Sequence, residues 1–335
     1  MTTLRIATFN LENLDASDAD GRGPTLDERI AVLRPQLRRL RADVLCLQEV
    51  HGQKQATGDY ALTALDRLVE GTRYADDDRA TTESSDGDPY ARRNLVVSSR
   101  FPIAGVDQYK HDYAPAPSYR TVTADPPETD AGDVTWERPI LHVRVDLGNG
   151  RLLHVLDLHM KSKQPTRVPG QGGQREDDYR WRSASGWAEG SFLSSMKRVG
   201  QALEVRRLVD AIFDDAEAAG EEAYVAVCGD LNAEADEVPV RAIVGPMEEV
   251  NNPDLTDRVL IPCEQSVPES ARYTLLHLGR GVMLDHVLVS RSLLSGYRGT
   301  EIHNEVLPDE SGAFRFDDVF PESDHAPVVA EFELE

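Results

Sequence analysis

Leu156-Asp157-Leu158-His159-Met160-Lys161-Ser162-Lys163 reads as the end of an apolar strand that brings one histidine and two lysines to the same place. Working back from it, residues 151–159 and 139–147 are two strand patterns joined around Asn149-Gly150, a pair that accepts the positive φ of a two-residue turn. The stretch is therefore one arm of an antiparallel hairpin, with His159 at a strand end. Four other strand patterns carry a comparable signature: Phe9-Asn10, Leu47-Gln48-Glu49, Cys228-Gly229-Asp230-Leu231-Asn232 and Ser323-Asp324-His325. Asn10, Glu49, His159 and Asp230 follow their strands, whereas Asp324 and His325 precede the strand at 327–334. If that last strand runs antiparallel to the others, all six residues reach one sheet edge and face one cleft.

The remaining elements fit around these strands. Thr25 opens a helical stretch with Leu26, Ile30, Leu33, Leu37 and Leu40 on one face, and Pro35 predicts a kink or two short helices there. Residues 43–49 are apolar on both faces, as in a central strand covered on each side. A helix is expected over 60–70 and another from about Ser194, where Met196, Val199, Leu203, Leu208, Ile212 and Phe213 trace an apolar face that stops at Gly220. Further strands are expected at 94–99, 223–229 and 282–289. Residues 76–88 read as a loop, 109–136 as irregular, and 162–192 as a long polar segment of the kind that is functional or mobile. Hairpins mixed with helices predict an α/β architecture with largely antiparallel sheets and helices on the outer faces. No repeat and no Ser/Gly linker divides the chain, so residues 1–335 are expected to form a single domain.

The net charge of −23 counts against a protein that lives by nonspecific attraction to nucleic acid. It leaves room for an enzyme that meets phosphodiesters through a local basic cleft and a bound cation. The three cysteines, Cys46, Cys228 and Cys263, are too few and too widely spaced for a disulfide framework and fit a reducing compartment. No run of eighteen apolar residues appears, so no membrane span is expected. The N-terminus enters a strand pattern directly, without a signal peptide, which makes the cytoplasm the expected location.

Glu49 and Asp324, with the carbonyl of Asn10, are hard oxygen donors that suit Mg²⁺ or Mn²⁺. Each alone is equally well a solvated acid at a strand end. Asp230 and Asn232 project together from the turn after Gly229, where a carboxylate beside an amide can orient a water; an Asx turn explains the pair equally well in isolation. His159 can place a protonated imidazole, or its hydrogen bond, on a phosphate oxygen, and His325 can do the same or move a proton. Asp285 lies inside an apolar strand, where a carboxylate needs a partner, and His325 is the candidate. No Walker-type loop, dinucleotide fingerprint or Gly-x-Ser-x-Gly elbow is present.

Taken together, Ala7-Thr8-Phe9-Asn10, Leu47-Gln48-Glu49-Val50, Ser99-Arg100-Phe101-Pro102-Ile103, Leu158-His159-Met160-Lys161-Ser162-Lys163, Gly229-Asp230-Leu231-Asn232, Leu284-Asp285-His286 and Ser323-Asp324-His325-Ala326-Pro327 resemble the endonuclease/exonuclease/phosphatase superfamily, and in the same order. That superfamily includes DNase I-like nucleases, apurinic endonucleases, inositol polyphosphate 5-phosphatases and neutral sphingomyelinases. The resemblance implies a four-layer α/β/β/α sandwich of two packed, mainly antiparallel sheets flanked by helices. It implies metal ligation by Asn10, Glu49 and Asp324, activation of water by Asp230 and Asn232, phosphate stabilisation by His159 and His325, and Asp285 as the orienting acid. Lys161, Arg93 and Arg198 are the substrate-binding candidates; Arg92 neighbours Arg93, and Gln201 shares a helix motif with Arg198 that resembles one helping to hold the cleft. Tyr109, Tyr113 and Tyr119 are candidates for the tyrosine that some nuclease members place near phosphate. The expected activity is Mg²⁺- or Mn²⁺-dependent hydrolysis of phosphodiesters by water attack, in an endonuclease or exonuclease acting on DNA or RNA. The alternative is a phosphatase or phospholipase-type phosphoesterase of the same superfamily. A non-catalytic module is disfavoured because every expected position holds a competent residue.

Overall fold

The computed structural model describes residues 2–16, 23–172, 180–312 and 320–334. Two runs that are buried on both faces, Val44–Val50 (β2) and Tyr224–Asp230 (β8), become inner strands of two six-stranded sheets. The first sheet also contains Thr2–Leu14 (β1), Asp78–Thr81 (β3), Asn94–Ser99 (β4), Tyr297–Ile302 (β11) and Val328–Leu334 (β12), in the order β11-β12-β1-β2-β4-β3. The second adds Ile103–Tyr109 (β5), Ile140–Asp146 (β6), Leu152–His159 (β7), Ile261–Pro262 (β9) and Asp285–Val289 (β10), in the order β9-β10-β8-β7-β6-β5. Only β1–β2 and β7–β8 pair in parallel within these sheets; the other neighbours are antiparallel.

The period-two alternation of the strands sorts residues into layers. Leu4, Ile6, Val44 and Cys46 of the first sheet meet Val143, Val155, Cys228 and Val287 of the second in a shared core. Residues one step along face outwards. Ala7, Phe9, Leu45 and Leu47 pack under the helices Leu26–Leu40 (α1) and Thr63–Val69 (α2), and Leu156, Leu158, Val225 and Val227 under Ala184–Ala219 (α3) and Val238–Val244 (α4). Helix, sheet, sheet, helix: the expected sandwich is present.

The hairpin forms as its sequence requires. Arg151 N donates to Gly148 O at 3.1 Å, and Asn149 and Gly150 both hold positive φ (56° and 76°). β12 runs antiparallel to β1, with Thr8 opposite Val328, so residues 323–325 lie beside the end of β1 as anticipated.

Three expectations need correction. α1 continues through Pro35 as one helix, because Pro35 and Ala31 are both exposed and the carbonyl that loses its donor faces solvent. α3 starts at Ala184, not near Ser194, capped by the Ser183 hydroxyl accepting from Gly186 N at 3.0 Å. Asp78–Thr81, inside the expected loop at 76–88, is an edge strand against β4, where charged residues are tolerated. Residues 173–179 of the polar segment lie outside the described residues. Among the described residues no helix is long and apolar enough to cross a membrane.

Candidate active site

The strand ends open into a cavity of about 880 Å³, lined among others by Asn10, Glu12, Glu49, Arg93, Arg138, His159, Lys161, Asp230, Asn232, Asp324 and His325. Its floor is organised around one carboxylate oxygen. Asp230 Oδ2 accepts from Asn10 Nδ2 at 3.1 Å and from Asn232 Nδ2 at 2.9 Å, and it stands 3.4 Å from His159 Nε2 and 3.9 Å from His325 Nε2. Asn232 N closes an Asx turn on Asp230 Oδ1 at 2.9 Å. The pair thus forms the Asx turn and also lines the cavity.

The backbone is bent to achieve this. Gly229 has φ 132°, and a Cβ there would sit 2.0 Å from Leu158 O on the neighbouring strand, so no other residue fits where β7 and β8 approach. Glu12, Asn13, Glu49, Arg93 and Asn232 around the cavity hold left-handed φ between 46° and 60°. Such conformations cost about 1–3 kcal/mol each outside glycine and cluster where function holds them. At Glu49 the effect is direct. The β2–β4 register shifts between Leu47 and Val50, and the Glu49 carboxylate turns into the cavity, with Asn13 N donating to Oε2 at 3.0 Å and His159 Nε2 at 3.4 Å from Oε1.

Asp285 and His325 meet as expected: the fully buried Asp285 carboxylate lies 2.7 Å from His325 Nδ1. Burial alone would lower the imidazole pKa, but the charges of Asp285 and Asp230 and the hydrogen bond to Asp285 outweigh it and hold His325 well above the ordinary histidine value, as an imidazolium. His159 is the opposite case. Burial, then the nearby Arg138 and Arg93, push it well below the usual value, which favours the neutral imidazole over the protonated one also envisaged. Burial raises Asp230 to about 7 and Glu12 to about 8, the second also because Asp324 is close.

Carboxylates dominate this end of the cavity. Asp324, raised by burial and by Glu49, has no Lys or Arg ion-pair partner among the described residues. Arg93 lies 3.8 Å from Glu49 and His325 beside Asp230 and Asp324, but the desolvated oxygen donors still outnumber these cations, a chemical fit for a hard divalent ion. Carboxylate oxygens of Asp230 and Asp285 and a ring nitrogen of His325 also lie within 4.8 Å of one another, a buried group that could hold a metal only if the His325 ring gave up its proton.

The substrate-binding candidates separate. Arg93 and Lys161 line the cavity, although Lys161 Nζ already donates to Ser162 Oγ at 2.8 Å and Gln164 O at 3.0 Å, and burial lowers it to about 8. Arg198 does not line it; its guanidinium donates to Lys161 O at 3.1 Å and Ser162 O at 2.7 Å from behind. Arg92 and the three tyrosines do not line it either, and Tyr119 is bonded to Glu189 while Tyr109 packs edge-on against Tyr113. Sequence reasoning missed Arg138 and Glu12. Arg138 lines the cavity, donates to His159 O at 3.0 Å, has its own carbonyl held by Gln201 Nε2 at 3.1 Å, and makes no ion pair among the described residues. Its only sequence signal was an arginine just before β6.

Two stacked sheets with a carboxylate, amide and histidine centre at one edge define a class of hydrolase that works on phosphate esters. The chain belongs to the endonuclease/exonuclease/phosphatase family, whose model matches residues 7–325. Members of that family are phosphoesterases and generally use divalent metals. Solved structures agree on the fold. An endonuclease/exonuclease/phosphatase family protein from Bacteroides thetaiotaomicron matches with a TM-score of 0.56 and 16% identity over 99% of this chain and 96% of its own. A 3′ phosphatase from Neisseria, bound to a product DNA hairpin, gives 0.50 and 16% over 99% and 100%, and an AP endonuclease from Archaeoglobus fulgidus gives 0.50 and 14% over 99% and 100%. No curated protein matches the chain.

Proposed function

We propose that residues 1–335 act as one catalytic unit, a divalent-metal-dependent phosphodiesterase whose substrate is nucleic acid. The observation that carries the reading is the convergence of Asn10, Asn232, His159 and His325 on the single oxygen Asp230 Oδ2. Asp230, fixed by the two amides, orients a water and takes its proton. The His325 imidazolium, held by Asp285, and the neutral His159 donate to phosphate oxygens as charge builds on them. Asn10, Glu49 and Asp324 are the proposed ligands of the cation, Mg²⁺ or Mn²⁺. When bound, that ion neutralises charge on the phosphate. Arg93, Arg138 and Lys161 supply the positive side of the cavity. The neighbours named for DNA support a nucleic-acid substrate, and the three buried free cysteines suit a reducing cytoplasm.

A second reading, a phosphatase or phospholipase-type enzyme for a smaller phosphoester, is favoured by how the rim cations are spent. Among the described residues, Lys163 is paired with Glu237 at 2.6 Å, the nearby Lys197 with Glu137 at 2.8 Å, and Lys161 with carbonyls, so these lysines are not free for a long polyanion. Nicking of plasmid DNA and cleavage of RNA, each with Mg²⁺ and with EDTA, separates the two. The nuclease reading expects Mg²⁺-dependent cleavage that Asp230→Ala abolishes; robust turnover of a small phosphoester with neither polymer cut would sink it.

A further inference from the structure

Along the strands that reach the site, inward-facing residues change character in steps. On β1 they run Leu4, Ile6, Thr8, Asn10; on β2, Val44, Cys46, Gln48; on β7, Leu153, Val155, Asp157, His159. The first positions form the apolar core between the sheets, and Asn10 and His159 face the cavity. Between them lies a layer of three fully buried polar side chains. Gln48 Nε2 donates across the sheets to Asp157 Oδ1 at 2.6 Å and lies 3.1 Å from Thr8 Oγ1. Asp157 Oδ2 makes no hydrogen bond of good geometry among the described residues, although the backbone of Leu158 and of Val96, in the other sheet, also favours the carboxylate.

A buried polar layer carries a desolvation cost that an apolar layer of similar volume would not, so stability is a weak account of it. Its position is a stronger one. Gln48 immediately precedes Glu49 in the first sheet, and Asp157 sits two residues before His159, on the same strand face, in the second. Apolar packing restrains the register of the two sheets through shape alone, whereas a hydrogen bond between them adds a directional constraint. The cavity needs Glu49 Oε1 and His159 Nε2, one from each sheet, to stay 3.4 Å apart.

We propose that Gln48 and Asp157 form an inter-sheet latch that fixes the two halves of the active site against each other, making both positioning residues. The inference rests on the phosphoesterase reading for its activity assay but not for its structural one. Asp157→Leu is expected to lower kcat about ten- to hundredfold while KM stays within about twofold, the pattern of a misplaced but still accessible site. Asp157→Asn keeps the acceptor for Gln48 and should hold kcat within about threefold of the parent protein. The double variant Gln48→Leu/Asp157→Leu should be no slower than Asp157→Leu, since one bond cannot be lost twice. Gln48→Leu carries the same expectation if Asp157→Leu does not fold. Undiminished kcat in a folded Leu variant, or Asp157→Asn falling as far as Asp157→Leu, overturns the latch. If the parent protein turns over no phosphoester, the functional reading has failed instead. A crystal structure of the Leu variant then decides the latch, which requires Glu49 and His159 to have moved from their 3.4 Å separation and is refuted if they have not.

Discussion

At the scale of the residue, Arg138 shows how position changes the value of a charge. Arg67, Arg241 and Arg298 are committed to carboxylates on the surface, where an ion pair contributes little. Arg138 is held at its backbone by Gln201, tied through one nitrogen to His159 O, and turned into the cavity without an acid of its own. A guanidinium so placed is pre-arranged for phosphate. Replacing it with Met should remove about 1.5–3 kcal/mol of interaction with a charged substrate, roughly ten- to hundredfold in kcat/KM, with unfolding little changed. Steady-state kinetics on whichever phosphoester the protein cleaves measures this, and an unchanged kcat/KM would remove Arg138 from the site.

At the scale of the element, α3 and the hairpin make different demands. Gly190 lies within α3, where Ala is better by about 1 kcal/mol on propensity alone. A Cβ there would stand 2.5 Å from Thr166 O and 2.6 Å from the Trp181 ring, and overpacking costs about 1–3 kcal/mol. Packing wins, so Gly190→Ala should destabilise in a denaturant titration despite the helix. The β6–β7 hairpin carries a histidine pair, with His142 Nε2 3.0 Å from His154 Nδ1. Burial, and for His142 also the neighbouring His154, lowers them to about 3 and about 4. The unfolded chain therefore binds more protons than the fold below the ordinary histidine pKa of about 6.5. The stability this pair contributes is full above that pH and is lost as pH falls towards 4. His142→Phe should flatten the loss between pH 6.5 and 4 relative to the parent; an equally steep curve would show that the pair is not the cause.

The same elements show what could be read in advance. The hairpin was legible because Asn149-Gly150 fixes a turn by local backbone chemistry, and the strand-end residues because apolar runs stop abruptly at them. The start of α3 was not legible. Its first ten residues include two glycines whose value lies in close contact with Gln171 and Thr166, partners distant in sequence. Glu12 and Arg138 escaped for a related reason: a lone charge beside a strand has no pattern, and only the tertiary fold turns it inwards. Arg198 was found by its motif, but its role could not be, since whether a guanidinium reaches forward to substrate or back to a carbonyl is decided by a few ångströms of packing.

At the scale of the whole molecule, charge and closure are linked. With a net charge of −23 and several desolvated carboxylates in one cavity, the fold carries repulsion that a bound cation relieves. Binding to the folded state alone stabilises by about 2.7 kcal/mol when free Mg²⁺ is a hundred times its Kd. Thermal unfolding at constant ionic strength should therefore move up with Mg²⁺ and back with EDTA, and the response should shrink in Glu49→Gln. No shift in the parent protein would count against a metal in this cavity.

The pairing of β1 with β12 has a consequence for how the protein comes to be active. Asn10 and Asp324 are separated by nearly the whole sequence, yet Ser323 Oγ donates to Asn10 O at 2.7 Å and Asp324 N to Glu12 Oε2 at 3.0 Å. A nascent chain that has emerged only as far as β11 already carries Glu49, His159, Asp230 and Asp285, but lacks the imidazolium and one of the proposed ligands, and its β1 is a bare edge. On the proposed assignment of the site, chemistry on phosphate esters would have to wait for this last segment. The strand that fills the open edge of β1 also draws Asp324 and His325 into the cavity.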